Sequence, residues 1–310
     1  MFFNWLITTR CNLKCCNLFK KDSIIDLDVD KLKNVLLIYR NDFHIFYGGE
    51  PTLHPRFYDI LNFSKINKIP HTFITNGTAS LDYSYEYESI TISIEPTKQD
   101  KYRKEKTEKG IQLLKKVKSK EKVAEINIKH GDDKEYLKTL LKELNKINVK
   151  IIINFMDISK DSNYDFSSYY NDSIILRKWE AKEWIKIILE NYNRVNILYL
   201  EYIDILLNIL PSNYKCNNII NQNNWVIDPN GNFRLCLRIK GEQINTYNIF
   251  EDPYILNNTA FIKALKIDTS NLCKGCNWSC AIFADHQKGE VDGSGEDLEG
   301  ANEKRSVFYA

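Results

Sequence analysis

Three of the chain's eight cysteines, Cys11, Cys15 and Cys16, fall within the six residues 11–16 of the stretch TTRCNLKCCNLF, and no other cysteine occurs before Cys216. They directly follow the apolar run FFNWLIT, which predicts a strand. The thiols are therefore expected on the loop at that strand's C-terminal end, where β/α folds carry their chemistry. Three thiolates are one ligand fewer than a cubane iron–sulfur cluster has irons, and a cluster held that way keeps one iron open to a ligand. Zinc is the competing metal, but a structural zinc site takes four ligands and the first histidine of the chain is His44. The plainer alternative is a set of small buried apolar residues. Three thiols crowded beside Arg10 and Lys14 argue against it.

The other five cysteines form a second group: Cys216, Cys236, and Cys273, Cys276 and Cys280 in CKGCNWSC. Two alternating runs flank Asp228-Pro229-Asn230-Gly231 in NWVIDPNGNFRLCLRI, a strong hairpin signal that puts Cys236 on the second strand. A hairpin bearing cysteines plus a C-x2-C knuckle suits zinc or an iron–sulfur cluster, and spacing alone does not choose between them.

The elements that must carry these groups follow from periodicity. Apolar and β-branched runs (FFNWLIT, FHIFY, HTFIT, SITISI, AEINI, VKIIINF) alternate with amphipathic stretches such as DVDKLKNVLLIYRN and DDKEYLKTLLKELNKIN. That order predicts an α/β fold, a parallel sheet with crossover helices, and about six such units fit before residue 157. The barrel-like core is expected to span residues 1–210 and a small cysteine-rich C-terminal module residues 214–285. The Gly- and acid-rich residues 286–310 read as an unfolded tail or an appended extension. Lys+Arg 43 against Asp+Glu 41 leaves a net charge of +2, which disfavours nucleic acid and anionic membrane as partners. No signal peptide is visible, and the longest apolar segment, ILYLEYIDILLNIL, is interrupted by Glu201 and Asp204. A cytoplasmic location is expected, and there eight cysteines in two groups argue for metal ligation over disulfides.

The ordered set TTRCNLKC, FYGGEPTLHP and TNG resembles the radical S-adenosylmethionine (SAM) enzymes over roughly residues 3–155. The resemblance implies a partial (β/α)6 TIM-type barrel and a [4Fe-4S] cluster held by three cysteines, usually spaced C-x3-C-x2-C, whose fourth iron chelates the amino and carboxylate groups of SAM. Cys11 and Cys15 match the first two positions, whereas the third is Leu18. Either Cys16 replaces it, which requires a sharp turn between Cys15 and Cys16, or the cluster site has decayed; the intact remaining motifs favour Cys16. The resemblance makes Gly48-Gly49-Glu50 the element that binds the SAM amine, with Glu50 accepting from the ammonium. Asn76 in the TNG turn would border the pocket, although a simple Asn-Gly turn accounts for it equally. Ser93 and Glu95, with Thr91 in step, share one face of the fourth strand, and polar residues on a buried strand need partners such as ribose hydroxyls. Arg103 stands where relatives carry an arginine for the SAM carboxylate, with a solvated helix face as the alternative; Asn127 on the fifth strand is a further candidate. His54 and His130 read as loop residues, not ligands.

The pattern C-x14-G-x4-C followed by C-x2-C-x3-C resembles the SPASM/twitch extension of many radical SAM enzymes. It implies an auxiliary [4Fe-4S] cluster on Cys216, Cys236, Cys273 and Cys276, with Cys280 replacing one of these or unligated. The family activity is reductive cleavage of SAM, with a reductant such as flavodoxin or ferredoxin, to a 5′-deoxyadenosyl radical that abstracts hydrogen from a substrate. No catalytic side chain is expected beyond the cofactor ligands. A ribosomal peptide or protein side chain, oxidised or cross-linked, is the first expectation. A small alcohol is the second, and a non-catalytic barrel with a structural zinc cap is the alternative from another class.

Overall fold

The structure, a computed structural model, describes residues 1–13, 24–97, 101–155, 178–192, 224–234 and 247–272. The expected boundary at residues 210–214, the tail at 286–310, and every cysteine except Cys11 lie outside these residues. The described residues fall into two compact units, 1–74 with 224–272 and 75–155 with 178–192.

In the first unit, β1 (Phe2–Thr8), β2 (Phe43–Gly48) and β3 (His71–Thr75) run parallel in the order β3-β2-β1. Helices α1 (Val29–Ile38) and α2 (Phe57–Ile66) are the crossovers. β1 alternates buried and half-buried positions, so Phe3, Trp5 and Ile7 enter the core, where Leu32, Val35 and Leu36 of α1 and Ile60 and Leu61 of α2 also lie buried. Asp28 caps α1 by accepting from the Asp30 and Lys31 amides at 3.0 and 3.2 Å. The expected hairpin is present: β7 (Asn224–Ile227) pairs antiparallel with β8 (Asn232–Arg234), and β8 with β9 (Tyr247–Asn248). β7 also pairs parallel with β1, Phe2 to Trp5 against Asn224 to Ile227, so the hairpin extends the first sheet. Among the described residues the last helix, α6, follows at Thr259–Leu272.

In the second unit, β4 (Glu86–Ile94), β5 (Lys118–Ile128) and β6 (Lys150–Phe155) are again parallel, connected by α3 (Lys101–Lys116) and α4 (Lys134–Lys146) and followed by α5 (Lys178–Asn191). α4 buries Leu137, Leu140, Leu141 and Leu144 at helical spacing, and Asp133 caps it by accepting from the Tyr136 amide at 2.7 Å. The segment between β3 and β4 contains no helix. No helix among the described residues is long and apolar enough to cross a membrane.

A buried polar contact anchors β1. Trp5 Nε1–H donates to His44 Nδ1 at 3.0 Å, which leaves His44 Nε2–H to donate to the Tyr39 carbonyl, also at 3.0 Å. Burial drives the His44 pKa down to about 3, so the ring stays neutral, stacked on Phe3. We expect His44→Ala to cost about 2–4 kcal/mol, because it opens a cavity and strands the Trp5 donor. Chemical denaturation checks this; a loss below about 0.5 kcal/mol, the range of surface substitutions, would show that the contact does not support the core.

Candidate functional site

The first group of candidates belongs to the first unit. β1 and β2 keep register from Phe2↔Phe43 to Leu6↔Tyr47, then shift so that Thr8 faces Gly48. The pairing continues into the loops, where the Gly49 amide donates to the Thr8 carbonyl at 2.9 Å and the Glu50 amide to the Arg10 carbonyl at 2.6 Å. The two glycines make this approach feasible. A Cβ on Gly48 would stand 2.4 Å from the Thr8 oxygen, and one on Gly49 2.2 Å from the Arg10 oxygen. The residue that follows Arg10 is Cys11, half-buried, whose Sγ accepts from the Leu13 amide at 3.5 Å. Glu50 is fully buried, and its Oε1 accepts from the Thr52 hydroxyl at 2.6 Å and the Thr52 amide at 3.3 Å, capping the turn Pro51–Leu53. Cys15, Cys16, Leu18, Cys216, Cys236, Cys273, Cys276 and Cys280 lie outside the described residues. Among the described residues no three His, Cys, Asp or Glu side chains converge as a metal site.

The second group belongs to the second unit. Asn76 is buried and its Oδ1 accepts from the Thr78 amide at 2.8 Å, while Gly77 adopts φ +72° with its Cα face against Gly110 of α3. That geometry is a structural turn. On β4, Thr91 is buried, and Ser93 and Glu95 lead into a polar cluster. The strand pairings bring Ser93 opposite Glu125 and Asn127 opposite Asn154. Asn127 Nδ2 donates to Ser93 Oγ at 2.9 Å, and Asn154 Nδ2 to Glu125 Oε1 at 2.6 Å. Two cations from α3 approach Glu95: Lys106 Nζ at 3.0 Å from Oε1 and Arg103 at 3.0 Å from Oε2. Both side chains are only 5% exposed, so Arg103 is not on a solvated helix face.

Lys106, Glu125, Asn154 and Asp132 were not anticipated from the sequence. Lys106 had a signal, since it lies three residues beyond Arg103 on the same helical face; Glu125 had one as well, two residues before Asn127 on a strand. Asp132 had none, because an Asp pair before a helix reads as capping.

The carboxyls of this unit are driven apart. Burial opposes ionisation of Glu95, but the Lys106 and Arg103 charges overcome it and its pKa lies below the ordinary range. For Glu125 burial prevails over the Asn154 hydrogen bond and the pKa is raised. Asp132 is pushed up to about 8 by burial and then by the Glu95 charge, with Arg103 opposing. One Asp132 oxygen, Oδ1, is buried without a hydrogen-bond partner, whereas Oδ2 accepts from the Lys129 amide at 2.9 Å.

No family model matches the chain, and no curated protein matches it. Solved structures do. The chain is similar to Streptococcus suis SuiB bound to S-adenosylmethionine, with TM-score 0.63 and 15% identity over 86% of this chain and 67% of that one. It is similar to SuiB bound to its precursor peptide SuiA, at 0.62 and 15%, over 84% of this chain and 65% of that one. Native anSMEcpe with bound AdoMet matches at 0.56 and 17%, over 100% of this chain and 96% of that one. This is the fold of the radical SAM enzymes. The mixed α/β architecture with parallel strands thus agrees with the partial (β/α)6 barrel expected from the sequence. The chain spans about two thirds of the length of SuiB.

The raised pKa of Asp132 has a direct consequence for stability. The unfolded carboxyl ionises near its ordinary value of 3.8 and the folded one only near 8, so folding takes up a proton between these values and stability attributable to Asp132 falls as pH rises from about 4 to about 8. Asp132→Asn, which keeps an acceptor for the Lys129 amide, should stabilise the protein by about 1–3 kcal/mol at pH 8 and by much less at pH 5. Denaturant titrations at the two pH values test this, and an equal gain at both would remove the assigned titration.

Proposed function

We propose that the protein is a radical SAM enzyme that binds a [4Fe-4S] cluster and SAM and modifies a ribosomal peptide or protein side chain by oxidation or cross-linking. The observation that carries this reading is the backbone join between the Cys11 loop and the Gly48-Gly49-Glu50 turn. It is supported by the fold shared with SuiB and anSMEcpe, and the peptide substrate by the SuiB structure that holds SuiA.

The residues fit the cofactors. Cys11 offers a soft ligand, with the Leu13 N–H directed at its sulfur. Cys15 and Cys16 would complete the ligand set. Glu50 would accept from the SAM ammonium, Ser93 and Asn127 would meet hydroxyl groups, and Arg103 would meet a carboxylate while Glu95 fixes its guanidinium. Bound together, the cluster and SAM would supply the one-electron chemistry of reductive SAM cleavage and hydrogen-atom removal from the substrate. The chain's own contribution is to orient these groups and exclude water, with buried Glu50, Arg103 and Lys106 held by fixed partners. Cys216, Cys236, Cys273 and Cys276, with Cys280 as a spare, would hold an auxiliary [4Fe-4S] cluster in a SPASM/twitch-like module spanning about residues 214–285. A flavodoxin or ferredoxin would deliver the electron.

Anaerobic reconstitution followed by iron, sulfide and zinc analysis tests the cofactor assignment. Two clusters are expected for the wild type; zinc alone would support the non-catalytic barrel. Cys16→Ala should retain the C-terminal iron but abolish 5′-deoxyadenosine formation, and full production by that variant would sink Cys16 as a ligand. Glu50→Gln preserves the buried volume and removes the charge, so SAM affinity measured by calorimetry should fall about tenfold or more. Unchanged affinity would take Glu50 out of the site.

A further inference from the structure

Between β1 and α1 the chain leaves the sheet at Thr8 and returns at Ile25, and four sets of contacts join the two ends. The Thr9 amide donates to the Ile25 carbonyl at 2.9 Å, and the Ile25 amide returns to the Thr9 hydroxyl at 2.8 Å. Arg10 grips Asp26 as a fork, Nε at 3.0 Å from both oxygens and an Nη2 nitrogen at 2.8 Å from Oδ2. Thr8 Oγ1 donates to the same carboxylate at 2.6 Å and accepts from the Arg10 amide at 3.0 Å. One residue further, the Leu27 amide donates to the Ile7 carbonyl at 2.8 Å.

His54 holds the returning strand from the other side. The Arg56 amide donates to Nδ1 at 3.0 Å, which fixes the tautomer so that Nε2–H donates to the Leu27 carbonyl at 3.1 Å. The ring is buried and lies four residues beyond Glu50, so one short segment serves both the Glu50 turn and the base of the Cys11 loop.

We propose that the Arg10–Asp26 fork and His54 are positioning residues whose task is to close the base of the Cys11 loop and so retain the metal that Cys11 ligates. This rests on the cluster assignment above. An ion pair as exposed as Arg10–Asp26, at 38% and 24%, contributes little to global stability. Its location adjoining Cys11 matters instead, because a multidentate metal site is held only as long as its ligands stay together, and closing the loop base raises their local concentration.

The test uses full-length protein reconstituted anaerobically, with iron release measured by capture in a ferrous chelator. Asp26→Asn should release iron about tenfold faster than the wild type, as expected for loss of a charge-assisted fork, while far-UV circular dichroism and the melting temperature stay close to wild type. His54→Leu should accelerate release, and His54→Gln, which keeps an N–H donor, should restore part of the retention. Arg10→Gln removes the same fork from its exposed side and carries the test should Asp26→Asn fold poorly. Equal release rates in all variants, with wild-type iron that depends on Cys11, would overturn the positioning role and leave the cluster assignment standing. Iron content unchanged by Cys11→Ala would overturn both.

Discussion

The approach of two backbones at Gly48 and Gly49 is the constraint on which the first candidate site depends. The atoms that a Cβ would meet are carbonyl oxygens of Thr8 and Arg10, which no rotamer change can move. A side chain at either position would therefore separate the loop after β1 from the turn after β2. Because the β-bulge at the end of β1 shifts the pairing by one residue, Thr8 and Arg10 present their carbonyls to the Gly49 and Glu50 amides. The chain is thereby committed to placing Cys11 one residue beyond a contact with Glu50. The glycines, often read as ligand-facing, have a purely internal duty here as well.

In the second unit the governing constraint is charge burial. Glu95, Arg103 and Lys106 are drawn from a strand end and one helix face, and a buried carboxylate shared by two cations is stabilised as the anion. The carboxyls that the cations do not grip, Glu125 and Asp132, are raised instead. Neighbouring acids with opposite shifts separate an anion held by fixed cations from carboxyls whose ionisation burial opposes, as happens wherever environments push titratable groups apart.

Much of this was legible in the sequence, for reasons that differ by element. The strands and helices up to β6 follow from local periodicity, since FHIFY and KEYLKTLLKELNK each carry their burial pattern within themselves. Arg103 and Lys106 were ambiguous because the stretch DKYRKEK is rich in charge, and periodicity reports a face without reporting whether a long stem folds inward from it. The partner of β1 on its far side was illegible: Phe2 pairs with Asn224, and nothing local in either segment encodes a partner so distant. The cysteine arithmetic beyond Cys11 remains a reading of the sequence, because those residues lie outside the described structure.

The pairing of β7 with β1 bears on what a metal in the C-terminal segment would have to do. Small metal modules commonly fold only with their metal, because they bury too little apolar surface without it. The described part of this segment has other supports. β7 is hydrogen-bonded to β1, and Trp225, Phe233 and Phe261 meet edge to face at 5.6 Å. Phe250 stacks on Trp5, and the Tyr39 hydroxyl donates to the Pro253 carbonyl at 2.8 Å. Gly231, at φ +90°, leaves no room for a side chain against Phe250, which fixes the hairpin turn against the strand that follows. The hairpin Asn224–Arg234 is thus tied to the same strand that leads to Cys11 by backbone pairing and ring packing. A metal held by the C-terminal cysteines would therefore add to an attachment that backbone pairing and ring packing already supply to the hairpin.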